Sequence, residues 1–140
     1  MKYFNNHFKV REFLDQIIID AKNNGYTKTL YNRLRYIPEL LSSNKNLASF
    51  GERTAMNAPI QGTAADIIKM AMVAISSRLK SQGLKAKMIM QVHDELNFNV
   101  PVDEVDIVRT IVVSEMQNVV HLTIPLVADC GVGKNWLAAH

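Results

Sequence analysis

Residues 88–100, Met-Ile-Met-Gln-Val-His-Asp-Glu-Leu-Asn-Phe-Asn-Val, restrict the fold more than any other stretch of the chain. Strict alternation assigns Met88, Met90, Val92, Asp94, Leu96, Phe98 and Val100 to one face of a strand. Asp94 is then an acid on an otherwise apolar face. Burying an unpaired carboxylate is costly, and such a group tends to give up its charge instead. Either the strand breaks at Asp94 in a tight turn, or a cation lies there. The two are compatible.

Adjacent carboxylates at a turn, Asp94 and Glu95, suit a hard divalent cation. Mg²⁺ takes oxygen ligands and is commonly held by one or two carboxylates together with substrate phosphates. A hairpin whose turn is simply acidic accounts for the same residues. His93-Asp94 also invites comparison with HD-type metal phosphohydrolases, which set that pair on helices with further His and Asp ligands. Here the pair lies in a β pattern, and His7, His121 and His140 have no supporting context.

From about Asn5 to Asn24, Phe8, Phe13, Leu14, Ile17, Ile18 and Ala21 fall mainly at helical spacing, and Gly25 suits a C-terminal cap. Residues 26–31 and 33–37 read as a β-hairpin turning at Asn32 and ending before Pro38. A helical stretch around Leu47–Asn57 meets Pro59 and Gly62, which imply a break or a kink. Thr63 stands three residues before Asp66, like the start of a capping box. Beyond it, Ile67, Ile68, Ala71, Met72, Ile75 and Leu79 mark one helix face, ended by Gly83. A helix opened by Asp103 and Asp106, a strand around Leu126–Asp129 and a glycine-containing tail complete the chain. The order predicts an α+β fold with an antiparallel sheet.

With 140 residues and 48% hydrophobic content, the chain can bury one ordinary core. Its apolar runs are too short to span a membrane, and the first residues lack the apolar stretch of a signal peptide. The single cysteine, Cys130, forms no internal disulfide and fits a reducing compartment, so a cytoplasmic location is expected. Residues 1–60 carry nine Lys/Arg against five acids, and residues 61–140 seven against eight. A basic first half attracts phosphate, although an ordinary solvated surface has the same composition.

Gln91-Val92-His93-Asp94-Glu95-Leu96 resembles the second catalytic carboxylate motif of family-A DNA polymerases, the bacterial DNA polymerase I type. Upstream, residues 52–69, Glu-Arg-Thr-Ala-Met-Asn-Ala-Pro-Ile-Gln-Gly-Thr-Ala-Ala-Asp-Ile-Ile-Lys, resemble the long palm-helix signature of the same family. Gly25-Tyr26 through Pro38 is similar to the preceding hairpin, and Gly131-Val132-Gly133-Lys134-Asn135-Trp136-Leu137 to the closing segment. The resemblance covers essentially the whole chain, in order. It implies one unit, the C-terminal palm part of such an enzyme. Residues 1–45 would form a helix and hairpin at the fingers–palm junction, and 46–140 a palm-type antiparallel sheet with a long helix packed against it.

By the same resemblance Asp94 is a catalytic residue and ligand of a Mg²⁺ pair, Glu95 an auxiliary acid and His93 a neighbour of the primer terminus. Arg53, Asn57 and Gln61 are implied to bind the primer–template DNA, and deoxynucleoside triphosphates to be substrates. The spacing i, i+4, i+8 puts these three on one face of a helix that continues through Pro59. Arg33 and Arg35 match a basic turn of the family, with Asn32 and Leu34 in place of its usual Gly and Arg. The other essential Asp, in an Asp-Tyr-Ser-type strand upstream, does not occur here, nor does the nucleotide-gripping fingers helix. The chain thus reads as a piece of a longer polymerase, inactive alone and prone to self-association through an uncovered sheet edge. A non-catalytic nucleic-acid-binding module on the same scaffold is the alternative.

Overall fold

The computed structural model describes residues 7–139 and divides into two compact units, Met1–Ala64 and Ala65–His140. Asn5, Asn6 and His140 lie outside the described residues.

The first unit opens with α1 (Phe8–Asn24), 17 residues ended as its sequence requires. Gly25 takes a left-handed φ of 77° and donates its N–H to the Ala21 carbonyl at 2.8 Å, closing the last turn. Strands β1 (Tyr26–Lys28) and β2 (Leu34–Tyr36) then pair antiparallel, with Tyr26 opposite Tyr36, Thr27 opposite Arg35 and Lys28 opposite Leu34. The Tyr26 and Tyr36 rings meet edge to face, centroids 5.8 Å apart. Asn32 carries the turn at φ 63°, and the Thr29 hydroxyl oxygen accepts the N–H groups of Tyr31 and Arg33. A 3-10 turn, Pro38–Leu41, follows.

Asn44 caps the next helix, α2 (Lys45–Ser81): its side-chain oxygen accepts the N–H of Asn46 at 2.9 Å and of Leu47 at 3.4 Å. Ala55 of α2 packs with Ala21, Ile37 and Leu40 in the core of this unit. The helix comes so near the 3-10 turn that a Cβ at Gly51 would stand 2.9 Å from the Leu40 backbone nitrogen, so only glycine fits. This packing ties the first half of α2 to the first unit. The division therefore falls inside the helix, at residues 64/65.

Pro59 does not end α2, which runs for 37 residues. An interior proline forfeits one backbone hydrogen bond and crowds the preceding turn, at a cost of about 3 kcal/mol. Here the neighbouring hairpin holds the stretch. Thr63 Oγ1 donates to the Pro59 carbonyl at 2.5 Å and accepts the Leu30 N–H at 2.9 Å, while Arg33 Nη2 donates to the Gly62 carbonyl at 3.3 Å. The expected capping role of Thr63 is thus corrected: it is an interior residue stitching helix to hairpin.

In the second unit the later turns of α2 present Ala71, Ile75 and Leu79 to Ala86, Val108, Ile111 and Val112. Ile75 is wholly enclosed, and such burial contributes roughly 1.5–3 kcal/mol. Gly83, at φ 67°, ends α2: its N–H reaches the Lys80 carbonyl and the Leu84 N–H the Leu79 carbonyl, each at 3.1 Å. Strands β3 (Lys87–Val92) and β4 (Glu95–Asn99) form a second antiparallel pair, followed by a 3-10 turn and α3 (Val105–Asn118). The Glu104 carboxylate accepts the N–H groups of Lys85 and Ala86 at 2.9–3.0 Å, fastening the start of β3 to the start of α3. Arg109 donates to the Cys130 carbonyl at 3.0 Å, tying the tail to α3, and α4 (Trp136–Ala139) closes the described chain.

The fold is α+β, but among the described residues its strands form two separate two-stranded sheets. Residues 126–129, expected as a strand, form none. A strand exists only through a ladder partner, and none of the described strands pairs with them. Strict alternation along 88–100 also fails, at one residue. Met88 pairs with Phe98 but Met90 pairs with Asn97, leaving Ile89 as the extra residue of a bulge. Met88, Leu96 and Phe98 keep to the core, whereas Met90 and Val92 pair with Asn97 and Glu95 on the opposite face.

Candidate functional site

Two groups of polar side chains stand out, one in each unit. The first is the tip of the β3–β4 hairpin. Val92 pairs with Glu95, so His93 and Asp94 alone make the turn. Two-residue turns that match the twist of paired strands need a positive φ, most cheaply at glycine. His93 supplies it, at φ 53°, and Asp94 does not. An L-residue in that region carries strain of roughly 1–2 kcal/mol. Asn32, the other such residue among those described, has a short amide that tolerates the region better. Gln91 Nε2 spans the turn and donates to the His93 carbonyl at 3.1 Å.

The turn resolves the difficulty raised by Asp94. Its carboxylate is exposed, with the half-buried Glu95 immediately after it. Two adjacent carboxylates are hard oxygen donors of the kind Mg²⁺ accepts, and they fit it as a partial set that leaves positions for water and phosphate. Among the described residues no group of three or more His, Cys, Asp or Glu side chains is arranged to hold a metal. The hairpin tip also differs from the helical setting that an HD-type phosphohydrolase gives its His-Asp pair.

The second group lies along α2 in the first unit. Because the helix continues through Pro59, Arg53, Asn57 and Gln61 stand one turn apart on one face. They line a groove of about 230 Å³ with Arg35 of β2, Phe50, Thr54 and Ala58. Arg53 Nη1 is steadied by the Ser49 hydroxyl at 3.1 Å. The wall contains two guanidinium groups, two side-chain amides and no carboxylate. Glu52, next in the chain, is engaged elsewhere by Lys22. Such a surface offers hydrogen-bond donors and attracts anions. Spacing on one helix revealed three of these residues, but Arg35 could not be found that way because it comes from the hairpin.

No helix among the described residues is long and apolar enough to cross a membrane. The sequence pattern of DNA polymerase family A matches residues 1–138. DNA polymerase I of Caldicellulosiruptor bescii is 50% identical over 135 residues, 96% of this chain, and that of Bacillus subtilis 45% identical over 138 residues, 99% of it. The chain spans 16% of the length of each. Among solved structures, the POL domain of Pol1 from M. smegmatis, in complex with DNA primer-template and dNTP, superposes with a TM-score of 0.94 at 43% identity. That match covers 98% of this chain and 24% of the other. The chain belongs to DNA polymerase family A.

Proposed function

We propose that this chain is the C-terminal palm segment of a DNA-directed DNA polymerase, with residues 1–45 at the fingers–palm junction and 46–140 in the palm. The reaction is template-directed nucleotidyl transfer. The primer 3′-hydroxyl loses its proton, its oxygen bonds to the α-phosphorus of a deoxynucleoside triphosphate, and pyrophosphate leaves. The observation that carries this reading is the family match across the chain, with Asp94 and Glu95 together at an exposed hairpin tip. The strained His93 adds weight, since backbone strain concentrates at functional turns.

Asp94 would hold Mg²⁺, with Glu95 as an auxiliary acid and His93 beside the primer terminus. A Mg²⁺ pair supplies activation of the hydroxyl and offsets charge on the triphosphate. Arg53, Asn57 and Gln61 donate hydrogen bonds to minor-groove acceptors, purine N3 and pyrimidine O2, which every correct base pair presents. Donors placed there sense pair geometry without reading sequence. The single cysteine and the family's role in DNA synthesis support a cytoplasmic location.

In a complete polymerase carrying this segment, Arg53→Ala or Gln61→Ala should slow extension from matched termini by about tenfold, the value of one lost hydrogen bond of roughly 1.4 kcal/mol. Discrimination against mismatched termini should change as well, with the melting temperature nearly constant because exposed polar residues contribute little to stability. Unaltered kinetics on matched and mismatched primers, for both variants, would return this face to ordinary surface. The 140-residue chain alone should self-associate. Ile89 and Met90 are exposed on β3, and an unpaired sheet edge favours pairing with a second copy. Light scattering that finds only monomer at high concentration would refute this.

A further inference from the structure

Gln61 sits inside the least regular turn of α2. Pro59, just before it, has no N–H to give the Ala55 carbonyl one turn back, and Gly62, directly after it, is a weak helix former. Thr63 follows, and its hydroxyl donates to the Pro59 carbonyl at 2.5 Å, a back-bond of the kind that bends helices. A stretch with these three features presents its side chains in more than one direction unless something outside the helix fixes it. The β1–β2 hairpin does so at two points. The Leu30 N–H donates to Thr63 Oγ1 at 2.9 Å, and Arg33 Nη2 donates to the Gly62 carbonyl at 3.3 Å. The approach is close, since a Cβ at Gly62 would stand 2.6 Å from Thr29 Cγ2. The Thr63 hydroxyl thus serves as donor within the helix and as acceptor from the hairpin at once. Gln61 is exposed and its side chain makes no hydrogen bond among the described residues, so the helix backbone alone aims it.

We infer that Thr63 is a positioning residue for Gln61. Its hydroxyl, held between the Pro59 carbonyl and the Leu30 N–H, fixes the turn of α2 from which the Gln61 amide projects. Thr63 is half-buried and acts only through that turn. This rests on the duplex-reading function proposed above and names what holds its donor in place. A donor is most effective when the backbone beneath it is ordered before its acceptor arrives.

The test is single-turnover extension from matched and mismatched termini, in a complete polymerase carrying this segment. Thr63→Val keeps the size and branching of the side chain and removes the hydroxyl. It should slow matched extension by up to about tenfold, the ceiling set by one lost hydrogen bond of Gln61, and shift mismatch discrimination in the same direction as Gln61→Ala. Thr63→Ser keeps the hydroxyl and should extend like the unsubstituted enzyme. The double variant Thr63→Val/Gln61→Ala should be no slower than Gln61→Ala, because residues acting through one contact are not additive. A residue serving stability alone would lower Tm and give losses that multiply. Gly62→Ala strains the same junction from the helix side and should reproduce the loss. Adding Thr29→Ser, which removes the opposing methyl and keeps its hydroxyl, should restore extension. This pair decides the matter if Thr63→Val does not fold. If Gln61→Ala is slow while Thr63→Val extends normally, the inference falls and the duplex-reading function stands. Multiplying losses, a Thr63→Ser as slow as Thr63→Val, or normal extension by Gly62→Ala have the same consequence. If Gln61→Ala itself changes nothing, both fall.

Discussion

In a complete polymerase carrying this segment, Asp94→Ala is expected to reduce primer extension by about a thousandfold or more while primer–template affinity changes little. A metal-held transition state owes several kcal/mol to its ligands, and each 1.4 kcal/mol or so is a factor of ten in rate. The substitution removes a carboxylate from an exposed turn, so the fold should survive it. Glu95→Ala should be milder, because in this reading Glu95 supports the site without being its principal ligand. Single-turnover extension and duplex binding, measured on both variants, separate the two roles. Equal losses in the two, or near-normal turnover in Asp94→Ala, would show the roles to be misassigned.

The second large effect concerns the 140-residue chain by itself, which should show no templated extension with Mg²⁺ and all four deoxynucleoside triphosphates. The chain corresponds to 24% of the M. smegmatis chain, the one whose complex includes primer-template and dNTP. Asp94 and its neighbour cannot hold two Mg²⁺ ions in reactive geometry without further ligands. Extension that persists through repurification and disappears in Asp94→Ala would overturn this. Extension that persists in Asp94→Ala would instead mark a contaminating enzyme. Repeating the assay with a longer polymerase that carries the same segment supplies the positive control.

Local chemistry settled a good part of this architecture from sequence alone. Gly25 and Gly83 end α1 and α2 through left-handed caps because a residue without Cβ adopts that backbone freely. The apolar stripe through Ala71, Ile75 and Leu79 identified the face that forms the core of the second unit. Spacing of four along α2 grouped Arg53, Asn57 and Gln61, and an acid within an apolar alternation required a turn or a cation at Asp94. These features depend on helical or strand periods within a few residues, so a linear sequence displays them directly.

Other features were decided by partners distant in the chain. Pro59 permitted a break or a continuous helix, and Thr63, Gly62, Leu30 and Arg33 bind that stretch of α2 to the hairpin as an unbroken helix. The bulge at Ile89 reverses the faces of Met90 and Val92 because pairing with β4, rather than alternation within β3, sets the register. Residues 126–129 have the composition of a strand, but composition does not supply the ladder that makes one. Arg35 joined the groove only when β2 came to lie beside α2, a neighbourhood that no periodicity along either element encodes. Periodicity is a property of a segment, whereas register, helix continuity across a proline and a groove wall shared between elements are set by contacts between segments.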